Sequence, residues 1–428
     1  MIKAFLLACL WLLLVLPPLL LGANRPIFWA LNGLITAFAL IAFGLREYRA
    51  PLVWRDPIFW AVAAVLGLGA VWMSLQCVSF TPQSWHHPVW QLIPDAPGAI
   101  SLAPAAGWAT LGWWLTLAIF FPAMRAGAEN PAFTRTALLT IAVTGAIIAT
   151  FGMLVEQLQL PTLGLLPKQA YIGWVTGTFV SRNSAAAYFA VGLIICTSIL
   201  TTPGEKANRA RVIAAICAML LLPALLLTGS RAGIVSALVG LSWLAFLRMR
   251  HSRAGAWGGV MIAAFAAPAI TLAASALMMR ADDSIASNAS RFSLYQETIA
   301  AIADRPWLGH GAGAFQSVQP LYHQPQTSSE YVWQNAHSLY LEAAATLGLP
   351  MTAALTIACV GIWIALLRRR QAGNGLVAEA ALASSLTLAL HASVDFALQT
   401  QAVALTITIL CGLAVGASAD KTQNASAR

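Results

Sequence analysis

Apolar runs of about 20 residues recur through this chain, each long enough to cross the hydrocarbon core of a bilayer as an α-helix. Nothing else constrains the fold as strongly. The 428 residues are 59% hydrophobic and only 9% charged, with a mean hydropathy of +0.74, whereas a soluble domain carries roughly a quarter charged residues. The runs predict an all-α polytopic membrane protein of about twelve transmembrane helices. They lie near 4–22, 27–45, 58–79, 104–123, 136–158, 184–202, 212–229, 232–247, 257–278, 349–367, 375–394 and 399–418. A very tight turn joins the pair 212–229 and 232–247, and 338–349 reads as a short helix at the interface before the tenth span. The first run is a span rather than a signal peptide: it is long, contains Pro17-Pro18 and lacks a small-x-small cleavage site.

Lysine and arginine set the orientation. With the N-terminus cytoplasmic, the inside segments hold 17 of the 24 basic residues, and only Arg25, Lys168, Arg182, Arg231, Arg280, Arg291 and Arg305 fall outside. This is the positive-inside pattern. The net charge of +9 is thus a topology signal that requires no nucleic-acid partner. Both termini are predicted inside. The expected organisation is helices 1–9 over 1–278, a large outside loop over 279–338, helices 10–12 over 339–418 and a cytoplasmic tail over 419–428. The six cysteines (Cys9, Cys77, Cys196, Cys217, Cys359, Cys411) all fall in apolar spans and have no zinc-like spacing. They read as small core residues. The outside loop Phe80 to Ala103 also holds His86 and His87, and its tryptophans, Trp85 and Trp90, read as an aromatic belt.

In the large loop, Phe292, Tyr295, Ile299 and Ile302 recur at helical spacing, predicting an amphipathic helix over 288–304, capped by Ser290 and stopped by Pro306. The glycine-rich turn that follows, Gly309-His310-Gly311-Ala312-Gly313, either reverses the chain toward the membrane or offers N–H groups to a phosphate. Four places carry candidate chemistry. Arg182 precedes the sixth span. Arg231 sits in the tight turn Thr228-Gly229-Ser230-Arg231, at membrane depth or just above it, where a charge ordinarily faces a cavity or a partner. Arg291 is expected in the first turn of the loop helix, where a cation is unfavourable unless it meets an anion. His337 lies at the lip of an apolar segment, in Asn335-Ala336-His337-Ser338-Leu339-Tyr340-Leu341-Glu342. A histidine and several arginines at one membrane face suit chemistry on a lipid-linked phosphate.

The motifs, taken in order, are Gly177-Thr178-Phe179-x-x-Arg182-Asn183, Thr228-Gly229-Ser230-Arg231-Ala232-Gly233, Ser290-Arg291-Phe292 and Arg305-Pro306-Trp307-Leu308-Gly309-His310-Gly311, followed by the histidine segment. In that order the chain resembles the O-antigen ligase superfamily, which includes O-antigen ligases, O-antigen polymerases and bacterial O-oligosaccharyltransferases. The resemblance covers Gly177 to about Gly348 and extends to His391-Ala-Ser-Val-Asp395-Phe396. The usual motif has Asn after the histidine, where this chain has Ser338.

The resemblance implies a GT-C-like membrane enzyme performing metal-independent, inverting glycosyl transfer in the periplasm, with no cofactor. Its donor would be a glycan on undecaprenyl pyrophosphate. Its acceptor would be a hydroxyl of lipid A-core or another lipid-linked glycan, in lipopolysaccharide biosynthesis at the bacterial inner membrane. His337 would be the base, and Arg231, Arg291 and Arg182 the pyrophosphate contacts. Asn183, Ser230, Asn335, Ser338, His310 and Asp395 would support them. The residue types suit the reaction: arginine offers permanent charge and paired donors, and histidine accepts a proton near neutral pH. The alternatives are an O-antigen polymerase and, from another class, a solute transporter. Against transport, the ionisable residues gather at one face rather than at a midplane site; His391 and Asp395, near the end of the eleventh span, are the counter-evidence. Reporter fusions test the topology: an alkaline phosphatase fused at residue 320 should be active, and one fused at residue 204 inactive.

Overall fold

The computed structural model describes residues 2–47, 57–128, 130–202, 208–249, 281–328, 332–370 and 375–426. Among these the chain is helical, its helices joined by tight turns and by longer polar connections over 78–103, 158–181 and 319–338. The helices are α1 (Ile2–Leu19), α2 (Pro26–Glu47), α3 (Pro57–Cys77), α4 (Pro104–Gly127), α5 (Pro131–Gln157), α6 (Arg182–Leu200) and α7 (Asn208–Leu227). They continue with α8 (Arg231–Met249), α9 (Ala281–Asp304), α10 (Phe315–Val318), α11 (Leu339–Leu347), α12 (Leu349–Arg369), α13 (Gly375–Ala392) and α14 (Gln401–Ser426). Eight described helices (α2, α3, α5, α6, α7, α8, α12 and α13) are long and apolar enough to cross a membrane; α1 and α14 carry shorter apolar stretches, Ala4–Leu19 and Gln401–Gly416. The chain is a multi-pass membrane protein. The expected ninth span, 257–278, lies outside the described residues.

α6 is the hub. Within its apolar window 89% of residues are buried, against 6% for α12. It packs against α5, α7, α8 and α13. Ala185, Ala186, Ala187 and Ala190 line it, all fully buried, and small residues let helix backbones approach closely where lipid supplies no hydrophobic drive. Gly233 of α8 rests on Ala186, and Gly240 of α8 on Thr387 and Ala383 of α13. At the far end Arg248 of α8 donates to Glu379 of α13 at 2.8 Å. α12 is outermost, which leaves Cys359 exposed rather than in a core. Length and hydropathy report that a segment spans; they do not report which face meets protein.

Three further expectations change. α9 begins at Ala281, so Ser290 is not a cap and Arg291 lies in mid-helix. Its inward face is Leu294, Glu297, Thr298 and Ala301, whereas Phe292 and Ile299 are exposed. The buried Glu297 decides this. Its carboxylate accepts from Gln319 Nε2 (2.8 Å), Gln324 N (2.7 Å) and Thr327 Oγ1 (2.5 Å), drawing the 319–327 segment onto that face. α14 continues as a helix to Ser426, beyond its apolar stretch.

The glycine-rich turn is a clamp and does not cradle phosphate. The amides of Gly309, His310 and Gly311 donate to the carbonyls of Arg305, Ala345 and Thr346, and that of Ala312 to Gln76 Oε1 at 3.0 Å. Gln76, fully buried in α3, returns its Nε2 to the Leu308 and Thr346 carbonyls at 2.8 and 2.9 Å. Gly309 has φ +66°, and a Cβ there would strike the Thr346 carbonyl. Gln76→Leu leaves buried backbone groups unpaired, at about 1–3 kcal/mol each. The purified variant should melt several degrees below the wild type in detergent; an unchanged melting point would refute the clamp.

Candidate functional site

The site begins with a helix start. Ser338 caps α11, its side chain accepting from Leu341 N at 3.4 Å. Serine and asparagine are nearly equivalent caps, which gives Ser338 a physical role at the position where the resembled motif has asparagine. Just before the cap, His337 has φ +53°. A non-glycine residue in this left-handed region stores about 1–3 kcal/mol and persists only when its surroundings hold it, although histidine is among the residues that adopt it more readily. Three contacts hold it. Glu342, one turn into α11, reaches back to accept from Ala336 N at 2.8 Å. The Tyr295 hydroxyl of α9 donates to the His337 carbonyl at 3.0 Å. The imidazole stands edge-to-face between Trp333 and Phe396, with ring centres 5.6 and 5.1 Å away.

Behind the imidazole is Asp395, fully buried in the connection between α13 and α14. Its Oδ2 lies 3.8 Å from His337 Nδ1 and accepts from Asn183 Nδ2 at 2.5 Å. The 3.8 Å separation is an ion-pair distance, too long for a hydrogen bond, and Nδ1 has no hydrogen-bonding partner among the described residues. Asn183 is placed by the first turn of α6, which Ser181 caps. Burial by itself would raise the Asp395 carboxyl. The facing imidazoles of His337 and His391 and the Asn183 amide outweigh it and hold the group below the ordinary carboxylate range. A carboxylate facing Nδ1 favours the tautomer with its proton there, leaving Nε2 as the acceptor.

The arginines stand at helix starts. Arg182 opens α6, its guanidinium over the rings of Trp174 (4.8 Å) and Tyr171 (5.6 Å). The Trp174 ring also presses on Gly229, whose φ of +61° and lack of a side chain allow the contact. Arg182 and the α7–α8 turn therefore share one wall. Ser230, nearly buried, accepts from Gly233 N at 3.2 Å and caps α8. Arg231 opens α8, is exposed and makes no hydrogen bond or ion pair among the described residues. Two adjacent helix N-termini at one end of the bundle favour an anion there, and a cation at each is unfavourable without one. Arg291 lies one turn before Tyr295, close enough for its charge to act on that hydroxyl.

The structure thus joins His337, Asp395 and Asn183, brings Tyr295 and Arg291 alongside, and places Arg182 and Arg231 at one wall of the same end. His310 is elsewhere. It is fully buried, with Nε2 2.9 Å from the Ala301 carbonyl and Nδ1 3.0 Å from His87 Nε2. The carbonyl requires a proton on Nε2, so His87 must donate to His310. Burial, aided by Arg305, pushes His87 down to about 4, and burial lowers His310 as well. The pair is a neutral link between the 80–103 loop and α9. A cavity of about 360 Å³, lined by Cys77, Phe80, Trp90 and Pro104, opens on that side too, away from His337. Among the described residues no three His, Cys, Asp or Glu side chains gather as a metal-ion site.

Sequence reasoning did not single out Glu342, Gln399 or Tyr295. Glu342 carried a usable signal, because a carboxylate inside an apolar helical run is seldom without a partner. Asn183→Ala should cost about 1–3 kcal/mol by withdrawing a donor from a buried carboxylate, read as a lower melting temperature. Asp395 titrates below its unfolded value of about 3.9, so its contribution to stability is complete above that value and is lost as pH falls through the lower, folded one. Wild type should therefore lose more stability on acidification through this window than Asp395→Asn.

Residues 218–356 match the family model described as O-antigen ligase, a stretch that holds Arg231, Arg291, Asn335 and His337. No curated protein matches the chain. The match supports a membrane glycosyltransferase-like function of the O-antigen ligase and polymerase type, with lipid-linked glycan substrates in general. Through this segment, about a third of its length, the chain is similar to the O-antigen ligase family.

Proposed function

We propose that this protein is an O-antigen ligase-type glycosyltransferase. It moves a glycan from undecaprenyl pyrophosphate to a sugar hydroxyl of lipid A-core, at the periplasmic face of the bacterial inner membrane. The observation that carries the reading is His337, held in a left-handed backbone with a buried carboxylate behind Nδ1, at the end of the bundle where Arg182 and Arg231 open adjacent helices.

In this reading Nε2 of His337 takes the proton of the acceptor hydroxyl as its oxygen attacks the anomeric carbon. The bond from that carbon to the pyrophosphate oxygen breaks, and the configuration inverts. Asp395 stabilises the imidazolium as it forms. Arg231 and Arg182, helped by two helix N-termini, neutralise the charge growing on the pyrophosphate, and Arg291 contributes from α9. The step draws on no metal ion. Asn183 supports Asp395, while Ser230 and Ser338 set the starts of the helices that carry the site.

Deleting the gene should remove all O-antigen from lipid A while polymer accumulates on the lipid carrier, as seen on a polysaccharide gel. A single repeat unit left on the core would make the protein a polymerase, and an unchanged pattern would sink the proposal. His337→Asn tests the base directly, because asparagine accepts the left-handed backbone and cannot take the proton. Transfer should fall by about 10²-fold or more with normal accumulation of the protein. Near-normal activity would refute the assignment. Arg231→Lys should lose most activity if the two-pronged guanidinium geometry matters; a fully active lysine variant would reduce Arg231 to a point charge.

A further inference from the structure

Beside the histidine runs a second chain of polar contacts with a fixed direction. Glu342 is buried, and its carboxylate accepts from Ala336 N at 2.8 Å on Oε2 and from Gln399 Nε2 at 2.8 Å on Oε1, with the Asn335 amide also close enough to act on it as a donor. A carboxylate only accepts, so the Gln399 amide must turn its nitrogen toward Glu342. Its oxygen then faces Asn335 and accepts from Asn335 Nδ2. The orientation of the Asn335 amide, which its own shape leaves open, is therefore dictated two residues away. Nδ2 is consumed inward and Oδ1 is left without a protein partner among the described residues. Asn335 is half-exposed and stands two residues before His337, on the same loop.

We infer that Asn335 Oδ1 is a binding contact for a hydroxyl donor of the acceptor sugar, and that Glu342, acting through Gln399, is the positioning residue that keeps the oxygen outward. The inference rests on the glycosyl-transfer reading above. It gives the loop two separate duties: His337 receives the proton that is lost in the reaction, while Asn335 accepts one that is retained, orienting the sugar ring.

The relay has a second state. Burial lifts the Glu342 carboxyl to about 7, against the pull of the Ala336, Gln399 and Asn335 donors. A protonated Glu342 can donate, which lets Gln399 and then Asn335 reverse and turn Nδ2 outward. The titratable or charged groups on the surrounding elements are His337 on the preceding loop, Asp395 and His391 near the α13–α14 connection, Tyr295 and Arg291 on α9, and Tyr340 on α11 itself. All of them remain in Glu342→Gln. In that variant the new amide's oxygen serves Ala336 N and its nitrogen donates to Gln399, which fixes the reversed relay at every pH.

The test is steady-state transfer in proteoliposomes with the lipid pyrophosphate donor and purified core acceptor. Wild type should show an acceptor KM that rises several-fold as pH is lowered through 7. Glu342→Gln should show the high value throughout, with donor KM within about twofold of wild type. Asn335→Ala should raise the acceptor KM likewise, with no pH dependence of its own. An unchanged acceptor KM in Asn335→Ala, or a Glu342→Gln curve that tracks the wild type, would overturn the inference. Because Asn335 is half-exposed, its variant tests the idea even if Glu342→Gln fails to fold. If wild-type protein transfers no glycan in this assay, the functional reading fails; if it transfers and the two variants match it, this inference alone fails.

Discussion

A buried carboxylate must be paired or it is neutralised, and Asp395 is paired by groups that the chain has to bring from two other places. Asn183 comes from the start of α6 and His337 from the loop before α11, with Asp395 itself between α13 and α14. The packing of three segments widely separated in sequence thus converges on one group of atoms. α6 can supply Asn183 only because Ser181 caps it there and because its alanine-rich flanks let α8 and α13 close around it. The left-handed His337 is tolerable only because Glu342, Tyr295 and two aromatic rings hold it in place.

The polar segments between spans are organised on the same principle. Gln76 reaches out of α3 to fasten the glycine-rich turn, and the His87–His310 pair ties the 80–103 loop to α9. Glu297 gathers the 319–327 segment onto the other side of that helix. Each is a buried polar side chain whose hydrogen bonds reach a remote segment. Such groups are costly when half-paired and specific when fully paired, so they orient α9 and the turn firmly beneath the His337 loop.

Spans were legible because apolar length is a one-dimensional property. The stretches predicted for α2, α3 and α5–α8 lie within a few residues of the observed helices, and the break before the tenth span is the short α11, ended at Gly348. Candidate site residues were legible where a charge was out of place: Arg182, Arg231 and His337 all stood out against an apolar background. What could not be read was partnership. The face of α9 was misjudged because apolar periodicity marked Phe292 and Ile299, whereas the inward face is chosen by a glutamate whose partners are 22 to 30 residues away. His310 stood among the expected supporting residues; only the fold shows it spent on a structural pair, while His337 is set against a carboxylate. Asp395 was a minor member of the expected set and is the group on which the candidate site turns.

The side-by-side starts of α6 and α8 have an energetic consequence of their own. Parallel helices repel through their aligned dipoles, and here each positive end carries an arginine as well. Close packing through Gly233 and Ala186 holds this repulsion in place. An anion placed between the two ends would relieve it, and any such binding would be coupled by linkage to the stability of the α6–α8 contact. A mutation that loosens that helix crossing, even one buried far from any substrate, would therefore be felt as weaker anion binding.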